Sequence, residues 1–431
     1  MRRNVSPAKT VRGVISPPGD KSISHRAAIF NAIAAGDATV EGFQRGADCM
    51  STLRCLRALG VGWLLDNEGT LHITGVGRGG LREPASVLNC GNSGTTMRLL
   101  AGLLAGQPFF SVLTGDSSLR SRPMRRVIDP LSQMGARIAG RDGGTKAPLA
   151  VQGRRLQGIS YEMPVASAQV KSALVLAGLF AGGETALTEP GPTRDHPERM
   201  LQAMGADIRF GEGPQVSVRP LERELNALSL RVPGDISAAA PWLVLGAVHP
   251  DAELRLKAVC VNPTRTGIID ALQAMGADLR IEEERTWGAE PVADIVVRSS
   301  SLQGTVIGGD LVPRAVDELP LLALAGCLAA GETVIKDAQE LRVKESDRIA
   351  TTAAALRRMG AEIEERPDGF AISGGGGLRG ARVSSHGDHR LAMMLAVAGA
   401  VADTETDIRT SEAVAVSYPM FWQDYERVTR R

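Results

Sequence analysis

Basic side chains recur close to predicted helix starts along this chain. They are Lys21, Arg26, Arg98, Lys171, Arg348 and Arg390. A cation within about two turns of a helix start opposes the positive end of the helix dipole and costs roughly a few tenths of a kcal/mol. A bound anion offsets that cost, because helix amino termini and Arg or Lys side chains together bind phosphate and carboxylate. The pattern therefore predicts a binding site for anionic ligands.

A charged run at residues 344–348 opens a predicted helix that ends at Met359. Lys344 and Arg348 are four residues apart, and like charges at that spacing destabilise an isolated helix by roughly 0.2–0.5 kcal/mol. We therefore expect an acid or a bound anion between them. A solvated helix face, on which Glu345 pairs with Arg348, explains the same run equally well.

Asp317 and Glu318 precede an apolar segment that begins at Leu319. Acidic residues in this position fit the amino-terminal cap of a helix. They also fit a general base directed at an active site. Both interpretations stay open on the sequence alone.

Three further motifs are better explained without a ligand. The arginine-rich residues 118–126 fit a solvated loop ahead of a helix that Pro123 begins. His386 and His389 resemble half of a metal site, but no third ligand follows at a usable spacing, so no metal is expected. The glycines from Gly75 to Gly80 fit a dinucleotide-binding pattern, but no helix start follows them.

Six similar segments carry most of these residues. Each opens with a polar turn and continues into an Ala/Leu/Met-rich stretch of helical length. The openings are residues 19–22, 91–94, 166–169, 234–237, 315–318 and 387–390. The period of roughly 70–85 residues, read as strand, helix, strand, strand, helix, strand, predicts βαββαβ units within closed domains. In the first unit we expect strands at 10–15 and 39–41 and helices at 22–35 and 48–59.

The repeats also begin and end with recognisable helix signals. In the fourth repeat, Asp235 and Ser237 stand without a cation, so a helix cap explains them fully. Glycine follows the second predicted helix in five repeats, where it fits a left-handed carboxyl-terminal cap. These glycines are Gly60, Gly135, Gly205, Gly276 and Gly360.

Composition limits the classes of protein and partner. A net charge of +1 provides no broad basic surface, and 3% aromatic residues are too few for base stacking, so no nucleic acid partner is expected. The five cysteines lack paired spacing and indicate reduced, buried thiols in the cytoplasm. The apolar runs are too short to span a bilayer, and no export signal is visible. The length of 431 residues favours two or three domains.

Seven ordered motifs follow one another from Gly19 towards the carboxyl end. They are GDKSISHR at 19–26, NCGNSGTTMR at 89–98, RPM at 122–124, SAQVKSA at 167–173, RDH at 194–196, LRVKESDR at 341–348 and GDHR at 387–390. Together they closely resemble the 5-enolpyruvylshikimate-3-phosphate (EPSP) synthase family of enolpyruvyl transferases. The resemblance implies an α/β fold, a two-domain inside-out α/β barrel of six pseudo-repeats with three units per domain. We expect one domain from residues 20–235 and a discontinuous one from residues 1–19 and 236–431, with the active site in the cleft between the domains.

The resemblance also implies an activity. The enolpyruvyl group of phosphoenolpyruvate would move to the 5-hydroxyl of shikimate 3-phosphate by addition and elimination, with release of phosphate, in chorismate and aromatic amino acid biosynthesis. The residues implied to bind shikimate 3-phosphate are Lys21, Ser22, Arg26, Ser167, Ala168, Gln169, Arg194, Asp317 and Lys344. Those implied to bind phosphoenolpyruvate are Lys21, Asn92, Gly94, Arg122, Gln169, Arg348 and Arg390.

Catalysis in such a family needs a base and proton carriers. Asp317 is the candidate base, and Lys21 with Glu345 are the candidate carriers. The resemblance implies no cofactor and no metal, small-molecule substrates as the only partners, and a cytoplasmic monomer that is a glyphosate target. We expect alanine at Arg122, Arg348 or Arg390 to weaken phosphoenolpyruvate binding while leaving folding intact.

The chain departs from the best-known family members at three positions. Val416 stands where some members carry a lysine, Ala168 replaces a second serine, and Arg194 stands where others use a serine and tyrosine pair. These choices resemble a branch in which some members tolerate glyphosate. Gly94, however, is the residue that leaves room for that inhibitor, so we expect sensitivity at this position.

Three other functions agree less well with the sequence. A sister transferase that acts on a UDP-amino sugar shares the fold, but it has Lys-Asn where this chain has Lys21-Ser22 and a cysteine in the loop at residues 120–126. An RNA-end-processing enzyme of related repeats would need a broad basic surface. A non-catalytic scaffold would not explain acids and bases at five of the six repeat openings.

Overall fold

Six long helices of the computed structural model, which describes residues 1–211 and 213–430, begin at the predicted repeat openings. We call them entry helices. They are Lys21–Ala32, Gly94–Ala105, Ala168–Gly178, Ile236–Val248, Leu319–Leu328 and His389–Val401. Nearly every residue in them is buried, because their Ala, Leu, Ile and Val side chains leave no continuous polar face.

Side-chain caps fix where five of the entry helices begin. The capping residues are Asp20, Ser93, Ser167, Asp235 and Asp388, each of which accepts a hydrogen bond from a backbone N–H in the first turn. The cap predicted at residues 234–237 is confirmed. At the fifth opening the capping interpretation is wrong, because Glu318 occupies the cap position but makes no side-chain cap bond.

A second helix follows in each repeat. These helices are Ala47–Ala58, Arg125–Gln133, His196–Ala203, Gly267–Ala274, Arg348–Arg358 and Phe421–Val428. The five predicted glycine caps are confirmed, with φ between +89° and +93° at each glycine. At the first, Gly60 N–H bonds to Arg57 O and Val61 N–H to Leu56 O. This pair of bonds is the Schellman motif, which satisfies carbonyls that the helix end leaves open.

Each repeat also builds one sheet, in which a parallel pair is extended by antiparallel strands. Across the sheet of repeat 1, Leu225–Asn226 and Leu230–Arg231 lie beside Ala34–Glu41, which is followed by Leu71–Val76 and Gly62–Leu65. The order across the sheet of repeat 2 is Leu88–Asn89, Phe110–Thr114, Lys146–Gln152 and Arg137–Gly140. In repeat 3 it is Ser160–Glu162, Thr185–Thr188, Gln215–Val218 and Ile208–Arg209. In repeat 4 the order is Thr429–Arg430, Thr10–Ile15, Ala252–Cys260, Glu290–Arg298 and Asp278–Trp287. In repeat 5 it is Val306–Ile307, Glu332–Ile335, Gly369–Ser373 and Glu362–Arg366. In repeat 6 it is Arg382–Ser384, Thr406–Arg409 and Arg2–Val5.

Short helical segments complete the described chain. They are Ser117–Ser121, Arg141–Gly144 and Leu311–Ala315, with 3₁₀ turns at Gln339–Val343 and Ser411–Val416. None of the helices described is long and apolar enough to cross a membrane. All five cysteines are buried, as predicted, and none of them forms a disulfide.

The predicted α/β class is confirmed, but the order of elements within a repeat needs a correction. The second repeat runs strand, helix, strand, helix, strand, strand, so both helices precede the final hairpin. The strand Thr10–Ile15, which is expected in repeat 1, also belongs to a different repeat. It pairs in parallel with Ala252–Cys260 of repeat 4, and Leu225–Asn226 with Leu230–Arg231 takes the corresponding place in repeat 1.

The chain divides into two compact units. The repeat 1–3 unit comprises residues 19–232 and 287–289, and the repeat 4–6 unit comprises residues 1–18, 233–286 and 290–431. A single apolar cluster fills the repeat 4–6 unit and includes the three entry helices of that unit. The starts of the entry helices, where the predicted site residues lie, are described below for each unit in turn.

Candidate active site

In the repeat 1–3 unit, three predicted substrate-binding residues lie in the first turns of the first entry helix, namely Lys21, Ser22 and Arg26. Lys21 Nζ is 3.2 Å from Asp48 Oδ2, and both side chains keep some exposure to solvent. Arg26 is 1% exposed and donates hydrogen bonds to the Ser22 carbonyl oxygen at 2.9 Å and to Ser172 Oγ at 2.6 Å. These bonds fix Ser22 next to two cations. The sequence did not indicate Asp48, which reaches Lys21 from the second helix of the repeat.

His25 lies between these two cations in the sequence and is fully buried. Its Nδ1 is 2.7 Å from Thr52 Oγ1. Burial first, and then the charges of Lys21 and Arg26, hold the pKa of His25 well below its usual value. The folded protein therefore keeps this ring neutral.

This neutral histidine predicts a loss of stability in mild acid. The unfolded chain takes up a proton on His25 as the pH falls through about 6.5, whereas the folded chain does not. Stability from this group is therefore complete above that pH and falls below it by up to about 1.4 kcal/mol per pH unit. Urea unfolding of His25→Asn, compared with the wild type at about pH 7.5 and about pH 5.5, is expected to show a smaller acid-induced loss. Exposed His72 supplies the control, and an unchanged pH dependence in His25→Asn would contradict the assignment.

Arg194 of repeat 3 contacts a predicted substrate-binding residue of repeat 1. Its Nη1 donates a hydrogen bond to Ser22 Oγ at 3.0 Å. In the same unit, Gln169 Nε2 donates to Thr95 Oγ1 at 2.8 Å, and Gln169 Oε1 accepts a hydrogen bond from Arg98. Guanidinium, hydroxyl and amide groups therefore meet at the starts of entry helices 1 to 3.

Two more predicted substrate-binding residues, Ser167 and Ala168, lie at the start of the third entry helix. Ser167 Oγ caps this helix by accepting from Val170 N–H at 3.4 Å. Ala168 is the first residue of the helix and has no polar side chain to contribute. Its backbone N–H, at the positive end of the helix, is the group that it offers to an anion.

Arg122, Asn92 and Gly94 form a second group in this unit. Arg122 donates hydrogen bonds to both the backbone and the side-chain oxygen of Asn92. Gly94 is the first residue of the second entry helix, and a Cβ added there would lie 3.1 Å from Arg98 Nη1 and 3.5 Å from Arg122 Nη1. A methyl group at Gly94 would therefore crowd the Arg98 guanidinium group and touch that of Arg122. The helix predicted to begin at Pro123 begins instead at Arg125, which leaves Arg122 in the preceding connection.

Lys171 is a predicted anion-site cation whose ammonium group is paired with two acids of its own repeat. It is 1% exposed, and its Nζ lies 2.9 Å from Glu189 Oε2 and 2.6 Å from Glu198 Oε1. Two carboxylates from later segments thus occupy the ammonium group. The expectation that Lys171 holds a ligand is wrong, and the spacing on its own helix carried no sign of these partners.

In the repeat 4–6 unit, Arg348 joins three carboxylates. Its Nε donates to Asp388 Oδ2 at 2.8 Å, its Nη2 to Glu345 Oε2 at 2.7 Å and its Nη1 to Asp317 Oδ1 at 3.1 Å. Lys344 Nζ is 4.0 Å from the same Asp317 oxygen. The acid expected between Lys344 and Arg348 is therefore Asp317, and the alternative pairing of Glu345 with Arg348 also occurs.

The start of this second helix differs from the predicted one. The helix begins at Arg348, and Asp347 caps it by accepting from the N–H groups of Ile349 and Ala350. Lys344 lies ahead of the helix, at the end of a 3₁₀ turn, so Lys344 and Arg348 do not share a helix face. Their proximity depends on Asp317, which comes from another segment.

Burial makes the charges in this group interdependent. Burial alone would lower the pKa of the Arg348 guanidinium, but Asp388, Glu345 and Asp317 raise it above its usual value. Burial would likewise raise the pKa of Asp388, but the charge and hydrogen bonds of Arg348 lower it on balance. Both groups are therefore held in their charged forms.

A second buried network surrounds Arg390, the last predicted ligand. Arg390 Nη1 donates to the Ser237 carbonyl oxygen at 2.9 Å. Ser237 Oγ donates to Glu318 and accepts from Arg265 Nη2, the latter at 2.8 Å. Burial first, and then the charge of Asp317, raise the pKa of Glu318. Sequence reasoning did not identify Ser237, Glu318 or Arg265 as neighbours of Arg390.

No metal centre is evident where the structure describes the chain. In residues 1–211 and 213–430, no group of three or more His, Cys, Asp and Glu side chains is placed to hold a metal ion. In the histidine motif near residue 388, His386 is exposed and Asp388 is bonded to Arg348.

Comparison with known proteins matches this chain to the EPSP synthase family. The family model described as EPSP synthase (3-phosphoshikimate 1-carboxyvinyltransferase) matches residues 5–425. A 3-phosphoshikimate 1-carboxyvinyltransferase of Chloroflexus aurantiacus is 60% identical over 418 residues, which cover 96% of each chain. The structure of EPSP synthase from Acinetobacter baumannii has a TM-score of 0.88 at 45% identity and covers 99% of this chain and 98% of its own.

A more distant structure supports the fold alone. The enolpyruvyl transferase NikO from Streptomyces tendae has a TM-score of 0.78 at 18% identity and covers 99% of this chain and 96% of its own. The predicted enolpyruvyl transferase fold is thereby confirmed. With a family model that matches almost the whole chain and relatives of similar length, this chain belongs to the EPSP synthase family.

Proposed function

We propose that this chain transfers the enolpyruvyl group of phosphoenolpyruvate to the 5-hydroxyl of shikimate 3-phosphate and releases phosphate. The observation that carries the proposal is Asp317, a carboxylate held by Arg348 at 3.1 Å in a chain whose whole length matches the EPSP synthase family. A carboxylate fixed among cations suits a base that must act beside anionic substrates. This reaction is a step of the shikimate pathway, which leads to chorismate and the aromatic amino acids.

The residue roles form the second part of the proposal. The side chains of Lys21, Ser22, Arg26, Ser167, Gln169, Arg194, Asp317 and Lys344 and the backbone of Ala168 would bind shikimate 3-phosphate. Lys21, Asn92, Gly94, Arg122, Gln169, Arg348 and Arg390 would bind phosphoenolpyruvate. Arginine forks match phosphate and carboxylate, while hydroxyl and amide groups suit a polyol. Arg122, fixed by two bonds to Asn92, is an example of a guanidinium held ready for an anion.

The chemistry requires proton transfer in both directions. In the addition, Asp317 would take the proton of the 5-hydroxyl as the new C–O bond forms, while Lys21 or Glu345 delivers a proton to the methylene carbon of phosphoenolpyruvate. In the elimination these roles reverse: Lys21 or Glu345 takes a proton back from the resulting methyl group as the C–O bond to phosphate breaks, which restores the double bond and releases phosphate. Glu345 accepts a hydrogen bond from Arg348 Nη2 at 2.7 Å, and Arg348 Nη1 donates to Asp317, so the candidate carrier and the candidate base share one guanidinium group.

Phosphate release tests the activity and its acceptor. Purified protein with phosphoenolpyruvate is expected to release phosphate when shikimate 3-phosphate is added and not when UDP-N-acetylglucosamine is added. Release with the UDP-sugar would identify the sister activity instead. Silence with both acceptors would contradict the proposal and direct attention to Val416, Ala168 and Arg194, where the chain departs from the best-known members.

We further propose a cytoplasmic monomer as the working form. Five buried cysteines without a disulfide suit a reducing compartment. Light scattering of the purified protein at assay concentrations tests the monomer, and a stable dimer would contradict it.

Gly94→Ala is expected to weaken inhibition by glyphosate. The added methyl group would lie 3.1 Å from Arg98 Nη1, so that guanidinium group must shift, and the methyl group would take up space beside Arg122 that an anionic inhibitor needs. One extra methyl group in a filled pocket changes binding by about 10–200-fold. The glyphosate inhibition constant against phosphoenolpyruvate is the measurement. Gly79→Ala is the matched control, because a Cβ there meets open space, and an inhibition constant unchanged in Gly94→Ala would refute the role of Gly94.

A further inference from the structure

We infer that Thr193, Glu189 and Lys171 are positioning residues for Arg194, and thereby for the binding of shikimate 3-phosphate. The inference rests on the proposed role of Arg194 as a ligand of that substrate. It explains why this chain keeps a buried lysine near the start of its third entry helix, although the ammonium group is not available to a ligand.

The connection that carries Arg194 is tied at both ends to one ammonium group. Glu189 lies just after the strand Thr185–Thr188, and Glu198 lies in the helix His196–Ala203 that follows the connection. Lys171 Nζ contacts Glu189 Oε2 at 2.9 Å and Glu198 Oε1 at 2.6 Å. The lysine therefore closes the connection between the two glutamates.

Thr193 adds a tie from within the connection. Its Oγ1 donates a hydrogen bond to Glu189 Oε1, while Glu189 Oε2 contacts Lys171. Thr193 immediately precedes Arg194, whose Nη1 reaches Ser22 Oγ at 3.0 Å. The side chain of the residue before Arg194 is thus linked, through the Glu189 carboxylate, to Lys171 of the third entry helix.

Burial makes these ties strong. Lys171 and Glu198 are 1% and 0% exposed, and Thr193 and Glu189 are also buried. In such surroundings, charged hydrogen bonds are stronger than in water, and breaking one leaves an unpaired buried group. Burial raises the pKa of Glu198 above its usual value, although the charge of Lys171 opposes this rise.

Thr193→Val tests the inference, because valine keeps the volume and removes only the hydroxyl. We expect the KM for shikimate 3-phosphate to rise about tenfold or more, since misplacing a binding group by about 1 Å can cost on the order of 10²-fold. The KM for phosphoenolpyruvate is expected to stay at the wild-type value. Thr193→Ser, which keeps the hydroxyl, should restore the wild-type KM. Thr404→Val is the matched control, because Thr404 tethers an exposed connection outside the candidate site.

Arg194→Ala, measured alone and combined with Thr193→Val, distinguishes the binding role of Arg194 from the positioning role of Thr193. If Thr193 acts through Arg194, the double variant has the same KM for shikimate 3-phosphate as Arg194→Ala alone. A wild-type KM in Arg194→Ala would overturn the proposed role of Arg194 and the inference with it.

Other results would overturn the inference while leaving the role of Arg194 in place. One is a raised KM in Arg194→Ala with a wild-type KM in Thr193→Val. A second is a Thr193→Val effect that persists without Arg194. A third is a fall in melting temperature with equal changes in both KM values, which would show a general structural role. If Thr193→Val does not fold, Thr193→Ala is measured in its place with the same criteria.

Discussion

Asp317→Asn is expected to lower kcat by about 10²–10⁴-fold, the contribution typical of a general base. The amide keeps the size and one acceptor oxygen of the carboxylate, so the contact with Arg348, 3.1 Å in the wild type, is retained in part. The amide does not accept the proton of the 5-hydroxyl. Steady-state phosphate release with both substrates varied is the measurement, and the loss should appear in kcat more than in the KM for phosphoenolpyruvate.

Asp310 supplies a matched control for this variant. It is exposed, belongs to the same repeat, and makes no cap bond at the short helix that follows it. Asp310→Asn should therefore retain wild-type kinetics. A wild-type kcat in Asp317→Asn would contradict the assignment of the base and shift attention to Glu345, which shares the same arginine.

Arg348→Ala is expected to destabilise the protein by about 3–5 kcal/mol, in addition to weakening phosphoenolpyruvate binding. Arg348 is 1% exposed and bonds to Asp388, Glu345 and Asp317, so its removal leaves three carboxylates without their shared cation. The earlier expectation that alanine at this position would leave folding intact does not suit such a buried group. Urea unfolding followed by circular dichroism gives the free energy of unfolding.

Arg382→Ala is the control for this loss of stability. Arg382 is 66% exposed and pairs with Asp407 at 3.1 Å. Exposed pairs of this kind contribute about 0–1 kcal/mol. If Arg348→Ala were no less stable than Arg382→Ala, the buried charge network would have no part in stability.

Local signals in the sequence predicted the framework of the candidate site well. The cap at Asp235 and the left-handed glycine at Gly135 depend on residues within one turn, so they could be read directly. The entry helices followed from long stretches of small and aliphatic residues. The cations at Lys21, Arg348 and Arg390 could be identified because each lies close to the start of a helix.

The acidic partners of each cation were harder to predict because they are distant from it in sequence. Lys171 pairs with Glu189 and Glu198, and no pattern on its own helix distinguishes it from Arg98. Asp388 lies 40 residues after Arg348, yet it provides the 2.8 Å bond that fixes this guanidinium. Tertiary contacts between segments that are distant in sequence decide which cations are satisfied within the fold, and helix periodicity holds no information about them.

The pairing of the first two strands has a consequence for the order in which the chain folds during synthesis. Thr10–Ile15 finds its parallel partner about 240 residues later, and Arg2–Val5 pairs with Thr406–Arg409, about 400 residues away. At about 5–20 residues per second, these first residues wait for tens of seconds while residues 19–232 emerge. The strands Arg2–Val5 and Thr10–Ile15 are therefore synthesised well before their partners, and Arg2–Val5 can join the sheet of repeat 6 only after Thr406–Arg409 has emerged from the ribosome.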